Sequence, residues 1–312
     1  KAREHAAHKA LVRARQVASF CAVLAIGAIA GAIFGYENMK RAQQAEGRAE
    51  RTRALAESGR SEAEKLIVYL LDDFYVELAP VGRLDTVADL SRRALDYYSR
   101  LPPELRTAET ERNRALALVR HGYALGWLGK TEEAIPLLAD AIGVLEKARS
   151  AGESSELTAI GLALGLASQA RFMLLGRSDQ NSSATAARAA DVLRPLAAGA
   201  SPSVAVRRAY GEVLNRLGFS QMREGREEEA VKSFEAARDA YRSIDQLALG
   251  DLGAAAGYAE VSAWLTQVLA QGLGRCPDAR RIAQEAANVA AQILERRPGH
   301  MGALRSHSLL LG

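Results

Sequence analysis

The residues with the chemistry for a site are few, and each sits in an element that restricts what it can do. Ala124-Leu125-Gly126-Trp127-Leu128-Gly129-Lys130-Thr131 fits a relaxed phosphate-binding loop, in which a small residue and four others precede Gly-Lys-Thr. Such a loop cradles phosphate with backbone N–H groups only where a buried strand leads in and a helix leads out. Here a helical pattern leads in. Gly129-Lys130-Thr131-Glu132-Glu133-Ala134 also aligns with Gly225-Arg226-Glu227-Glu228-Glu229-Ala230, so both segments read as turns between helices. Asp72, Asp73 and Glu77 place carboxylates along one helix edge, from which an acid–base pair can be built. Beside so many apolar neighbours they read instead as the solvated face of an amphipathic helix. His5 and His8, and His300 and His307, have no Cys, Asp or Glu at ligand spacing, which argues against a metal. His121 fits helix packing better than ligation or base catalysis. Cys276, followed by Pro277, has no His nearby in sequence to activate its thiol. The expectation is no catalytic, cofactor-binding or metal-binding residue, and no cofactor.

The element that dominates the chain is an apolar run at residues 17–36, twenty residues with no charge inside and basic residues on both sides. A helix rising about 1.5 Å per residue needs roughly 20 such residues to cross a hydrocarbon core of about 30 Å. A secretory signal has an apolar core of about 7–15 residues and ends at a small-residue cleavage site. This run is longer and is followed by Glu37-Asn38-Met39-Lys40-Arg41, so it reads as a single membrane span. Gly27, Gly31 and Gly35 recur every four residues and form a face where another helix backbone can approach, which suits helix–helix association and a homo-oligomer in the bilayer. The nearest basic residues lean toward an N-terminus on the cytoplasmic side, Lys9, Arg13 and Arg15 against Lys40 and Arg41, which would export the rest of the chain.

Around this span the chain divides into a basic segment at 1–16, the transmembrane helix at 17–36, a helical stalk at 37–65, a helical hairpin at 66–109 and helical repeats at 110–312. The stalk is rich in Arg, Glu, Gln and Ala and lacks Pro, which favours one continuous helix. Residues 1–60 hold eleven Lys and Arg against five Glu, whereas the other 252 residues carry 30 basic and 32 acidic groups. Basic excess beside a span suits anionic lipid headgroups, and a folded region with no basic excess argues against a nucleic-acid partner. Of the two cysteines, Cys21 lies in the apolar run and Cys276 near the other end, so no disulfide framework is available.

Self-similarity is the strongest signal beyond the stalk. Gly122, Gly129, Ala134, Leu138 and Ala141 have the same offsets as Gly218, Gly225, Ala230, Phe234 and Ala237, 96 residues later. The pattern asks for a small residue where one helix crosses the next, Gly in the turn, small residues on the second helix and a large apolar plug between them. These positions resemble the tetratricopeptide repeat, with Leu217-Gly218, Gly225, Ala230, Phe234 and Ala237 the closer copy and His121 replacing the usual Leu in the other. Gly274, Ala279 and Ala286 give a weaker third copy, and residues 157–175 and 184–196 read as a further helix pair. The fold class expected is therefore all-α: one transmembrane helix, a stalk, then antiparallel helix pairs stacked as a TPR-like solenoid.

Span, stalk and repeats together resemble the C-terminal half of large bacterial signalling proteins. The resemblance implies a catalytic module before the span, of STAND NTPase, Ser/Thr kinase or cyclase type; the span then sits in the bacterial inner membrane, and the lean of the flanking basic residues puts the soluble region on the periplasmic side. It also implies a protein or peptide ligand in a groove lined by the first helices, where Leu118, His121, Leu125, Leu214, Leu217 and Gln221 stand among core and surface positions. The function expected is a non-catalytic, membrane-anchored scaffold or sensor. The alternatives are an oligomerisation element built on span and stalk, and an enzyme fragment with its site around residues 72–85.

Overall fold

A computed structural model of the chain describes the backbone of residues 2–78, 82–175, 181–244 and 251–311; the side chains of residues 2–33, 49, 72–74, 76, 77 and 311 lie outside the description. All regular elements among the described residues are helical. The chain falls into two compact units, residues 1–63 and 64–312.

In the first unit the described backbone belongs to helix α1, Ala2–Leu78. From Phe34 to Gly59 nearly every described side chain is exposed, Leu55 included. With no large apolar residue buried along it, this stretch is held by helix propensity and local pairs such as Arg41 to Glu37 at 3.3 Å. The membrane segment expected at 17–36 falls largely outside the described side chains, and Gly27 and Gly31 with it. At its end Phe34 and Tyr36 are 67% and 63% exposed, and Gly35 has open space where a side chain would stand.

The second unit stacks antiparallel helices. The end of α1 pairs with α2, Leu84–Arg100; α3, Ala108–Trp127, pairs with α4, Thr131–Ser150; α5, Glu156–Leu175, with α6, Ser182–Ala197; α7, Val204–Arg223, with α8, Glu227–Arg242. Helix α9, Leu252–Gln267, runs on through a π-helical turn at Val268–Gly272 and pairs with α10, Cys276–Arg296, before α11, Met301–Leu311. The stacked pairs form a TPR-like solenoid. Four of the turns share one design: a glycine with positive φ (Gly82, Gly129, Gly225, Gly274), then a basic residue at the N-cap, then the helix. Only glycine takes that backbone conformation without strain. Asp85, the residue type that suits an N-cap and the one the sequence offers for the start of this helix, lies inside the first turn of α2. There its charge faces the helix dipole, and Arg83 holds the cap position.

Gly122 and Gly218 lie where helices cross, whereas Gly129 and Gly225 lie in the turns with open space around them. A methyl group on Gly218 would stand 2.7 Å from two ring carbons of the fully buried Phe234, and one on Gly122 would stand 2.9 Å from Cγ of Leu138. Ala134, Ala141, Ala230 and Ala237 are completely buried. Successive pairs meet in the same manner, with Gly165 against Ile142 and Gly257 against Tyr241. Among the described residues one helix, α5, is long and apolar enough to cross a membrane, and 67% of its apolar window is buried within the protein. It is apolar on every side because neighbouring helices cover it all round.

Candidate binding cavity

The second unit holds an open cavity of about 290 Å³ lined by residues of α1, α2, α3, α7, α8, α9 and α11. On one side the two ends of the second unit meet: a methyl group on Gly82 would contact Cγ of Met301 at 3.6 Å, so the α1–α2 turn lies against the start of α11. His300 fixes that start, accepting a hydrogen bond at Nδ1 from the Ala303 amide at 3.1 Å as a helix cap does. Burial holds the His300 ring below its ordinary pKa, against a partly opposing hydrogen bond to its own backbone.

One face of α7 supplies the polar wall through Glu212, Asn215 and Arg216, spaced to stand together on a helix. Arg216 is 8% exposed and is shared between Glu212 at 3.7 Å and Glu260 of α9 at 3.6 Å. Although burial pushes its pKa down, Glu260 and then Glu212 hold it above the ordinary arginine value, so it stays charged. Arg208 pairs with Asp251, whose other oxygen caps α9 through the Ala254 amide at 2.9 Å. The aromatic wall comes from other helices. Tyr75 and Tyr123 pack edge to face at 5.1 Å between centroids, and Trp127 lies one turn beyond Tyr123. Desolvation first, then the charge of Glu212, raises the phenol pKa of Tyr75, Tyr123 and Tyr241, so all three stay neutral.

Arg171 is the one charged residue inside α5 after Glu156. Its guanidinium lies over the rings of Trp127 at 4.4 Å and Phe219 at 4.9 Å. Desolvation and the neighbouring Arg216 lower its pKa to about 10. Among the described residues neither Arg171 nor the cavity-lining Arg305 makes an ion pair. Three buried polar atoms of cavity-lining residues also lack a partner: Asn215 Oδ1, Trp127 Nε1 and Arg208 Nε. Such atoms normally find one.

No protein-family model matches the chain, nor does any curated protein. Among the solved structures that resemble it are two of a Podosopora anserina protein described as a putative kinesin light chain with nearly identical TPR-like repeats. A form of that protein carrying one substitution aligns with a TM-score of 0.47 at 11% identity over 74% of this chain and 96% of that one. The form without it aligns at 0.45 and 11% over 73% and 95%.

Most residues singled out from sequence lie away from this cavity. Leu118, Leu125 and Leu214 are buried in the core, and Gln221 accepts a hydrogen bond from Ser233 at 2.7 Å inside the α7–α8 pair. His121 bonds through Nδ1 to the Ala88 carbonyl at 3.1 Å and joins α3 to α2. Lys130 caps α4 and pairs with Glu133 at 3.9 Å, in a turn between two helices with no strand before it. Cys276 is exposed as the first residue of α10. The side chains of Asp72, Asp73 and Glu77 lie outside the described residues. Among the described residues no cluster of His, Cys, Asp or Glu is placed to hold a metal. The sequence pattern did not single out Asn215, Arg216, Glu260 or Arg171, and it placed Trp127 only in a turn between helices. The available signal was the lone Arg171 in an apolar helix and the shared offset of Arg120 and Arg216 within the two repeats.

Proposed function

We propose that this chain is a non-catalytic scaffold or sensor region of a larger bacterial signalling protein, held to the inner membrane by residues 17–36 and offering its solenoid to a protein or peptide partner. The observation that carries the reading is the concave inner wall, where aromatic rings and buried charged groups converge as they do at the centre of protein-binding surfaces. The exposed Phe34 and Tyr36 support the membrane assignment, since aromatic residues suit the lipid–water interface. Gly27, Gly31 and Gly35 are assigned to helix association in the bilayer. Gly122, Gly129, Ala134, Leu138 and Ala141, with Gly218, Gly225, Ala230, Phe234 and Ala237, are assigned to repeat packing.

The domain division follows from sequence, with one refinement proposed here: the pair at 66–109 is itself the first repeat, because its Gly82-Arg83 turn matches the other three. Selection of displayed peptides against the full chain tests the partner assignment. Selected peptides should lose at least tenfold in affinity for Arg216→Ala, and equal binding by that variant would remove the groove from consideration. Carbonate extraction tests the anchor: release of the intact chain from membranes contradicts it. Replacing Gly31 by Leu should weaken crosslinking between copies, and unchanged crosslinking would rule out association through that face.

A further inference from the structure

The last turns of α1 are apolar on more sides than they bury. Ile67 and Leu71 pack in the cluster that holds Ala94 and Tyr98 of α2, Leu101, and Ala117 of α3, and Tyr75 packs edge to face on Tyr123 of α3. Leu66 and Leu70, on the adjoining edge of the same helix, are 56% and 39% exposed. In sequence the two sets are neighbours at every step: Ala63 precedes Glu64, Leu66 precedes Ile67, Leu70 precedes Leu71 and Phe74 precedes Tyr75. Successive residues stand about 100° apart round a helix, so a turn of α1 by that angle exchanges one stripe for the other. Each stripe carries two aliphatic side chains and one aromatic ring, so apolar burial, which scales with area, does not choose between them. Arg120 lies over the Tyr75 ring at 4.2 Å, an interaction that a phenylalanine ring supports as well.

The difference lies at the first position. Glu64, the residue at which the second unit begins, is 2% exposed. Its carboxylate accepts hydrogen bonds from the Thr110 hydroxyl at 3.0 Å and from Nδ2 of Asn113 at 3.1 Å, both on α3 and both buried. Ala63 offers these donors no acceptor. A carboxylate taken out of water is costly unless it is hydrogen-bonded, and buried donors that lose it are left unmatched. Fixing register between helices is the best-attested use of such buried polar contacts.

We propose that Glu64, Thr110 and Asn113 form a rotational clasp: they select which of two apolar stripes α1 presents to α2 and α3, and release of the clasp lets the helix turn to bury Leu66 and Leu70. Because α1 runs unbroken from Ala2 to Leu78, such a turn is a movement that stalk and span can share. The clasp is a property of the second unit alone, while its use in signalling rests on the sensor reading, to which it adds a moving part.

The test is thiol labelling of the purified full chain in detergent, with Cys21 and Cys276 replaced by Ser and one new cysteine at a time, Leu70→Cys or Leu71→Cys. With the clasp intact the thiol at position 70 should react faster, since Leu71 is only 7% exposed. Glu64→Ala makes the two stripes alike at their first position. It should lower the ratio of the two rates by about tenfold or more, because a hydrogen bond to a charged group is worth at least that factor in population. Asn113→Leu, which removes a donor from α3, should act in the same direction. Glu64→Gln should keep the original ratio, as its amide can accept from Asn113 and donate to Thr110. An unchanged ratio in either Glu64→Ala or Asn113→Leu overturns the proposal. A rise of both rates by the same factor does so too, since it marks a helix that detaches rather than turns, and so does a Glu64→Gln variant that behaves like Glu64→Ala. Peptide selection and carbonate extraction use other probes and other variants, so the scaffold and anchor readings stand or fall separately.

Discussion

Two Gly→Ala substitutions should change stability in opposite directions. Gly218 lies inside α7 and faces Phe234, where an added methyl would stand 2.7 Å from ring carbons with 0% of the phenylalanine exposed. No real Cβ contact is that short, so either the ring or the α7–α8 spacing must move. Overpacking of this kind costs about 1–3 kcal/mol. The same change in helix propensity favours Ala by about 1 kcal/mol, leaving a net loss of roughly 0–2 kcal/mol, centred near 1. Gly143 lies inside α4, exposed, with nothing within 4 Å of the added atom. There only the propensity operates, and Gly143→Ala should stabilise by about 0.5–1 kcal/mol. For a region of this size 1 kcal/mol moves Tm by roughly 2–4 °C, so the two variants should separate by about 3–8 °C. Urea denaturation followed by circular dichroism, run on both variants and on Gly218→Ala/Phe234→Leu, reads the difference and its source. The smaller Leu should recover most of the Gly218→Ala loss as a positive coupling in the double-mutant cycle. A Gly218→Ala variant as stable as Gly143→Ala, or a cycle with no coupling, would refute the assignment of Gly218 and Phe234 as the crossing point of the repeat.

Gly225→Ala, at φ +73° with open space around it, should cost about 1 kcal/mol from backbone conformation alone, read by the same melts. His300 has a folded pKa below its ordinary value of 6.5, so the folded chain binds fewer protons than the unfolded one. Its stabilising contribution is present above pH 6.5 and is lost as pH falls through the folded pKa; His300→Asn keeps a cap acceptor and should flatten that part of the stability–pH curve. Glu285 accepts from Tyr258 at 2.5 Å and from Arg242 at 2.9 Å. Despite burial, which raises it, the Tyr258 hydroxyl and then Arg238 and Arg242 hold its pKa below the usual carboxylate range. That contribution is present above the unfolded pKa of about 4.3 and is lost as pH falls through the folded one. Glu285→Gln should therefore destabilise the chain at pH 7 and by less at pH 3, checked by urea midpoints at the two pH values.

Sequence alone determined the helix pairs, because their causes are local or periodic: Gly where the backbone must turn left-handed, Ala where two helices cross, and a large apolar plug opposite a missing side chain. Gly218 and Phe234 are 16 positions apart in one hairpin, close enough for spacing to predict that they meet. The apolar run at residues 17–36 was legible for the same reason, since length and lack of charge are properties of a segment by itself. The caps were less so: Asp85 has the residue type of a cap, yet Arg83 takes the position because the positive φ of Gly82 sets where α2 starts.

The cavity was decided only by tertiary structure. Glu212 and Glu260 are 48 residues apart, Tyr75 and Tyr123 also 48, and Gly82 and Met301 more than 200, and no local pattern relates members of different hairpins. The first and last elements of the second unit touch at Gly82 and Met301, and residues of seven helices line the cavity beside that contact. A lone Arg171 in an apolar helix hinted at a polar interior. Which groups would meet there depended on the accumulated rotation of successive hairpins, a sum over many packing contacts that a single sequence does not reveal.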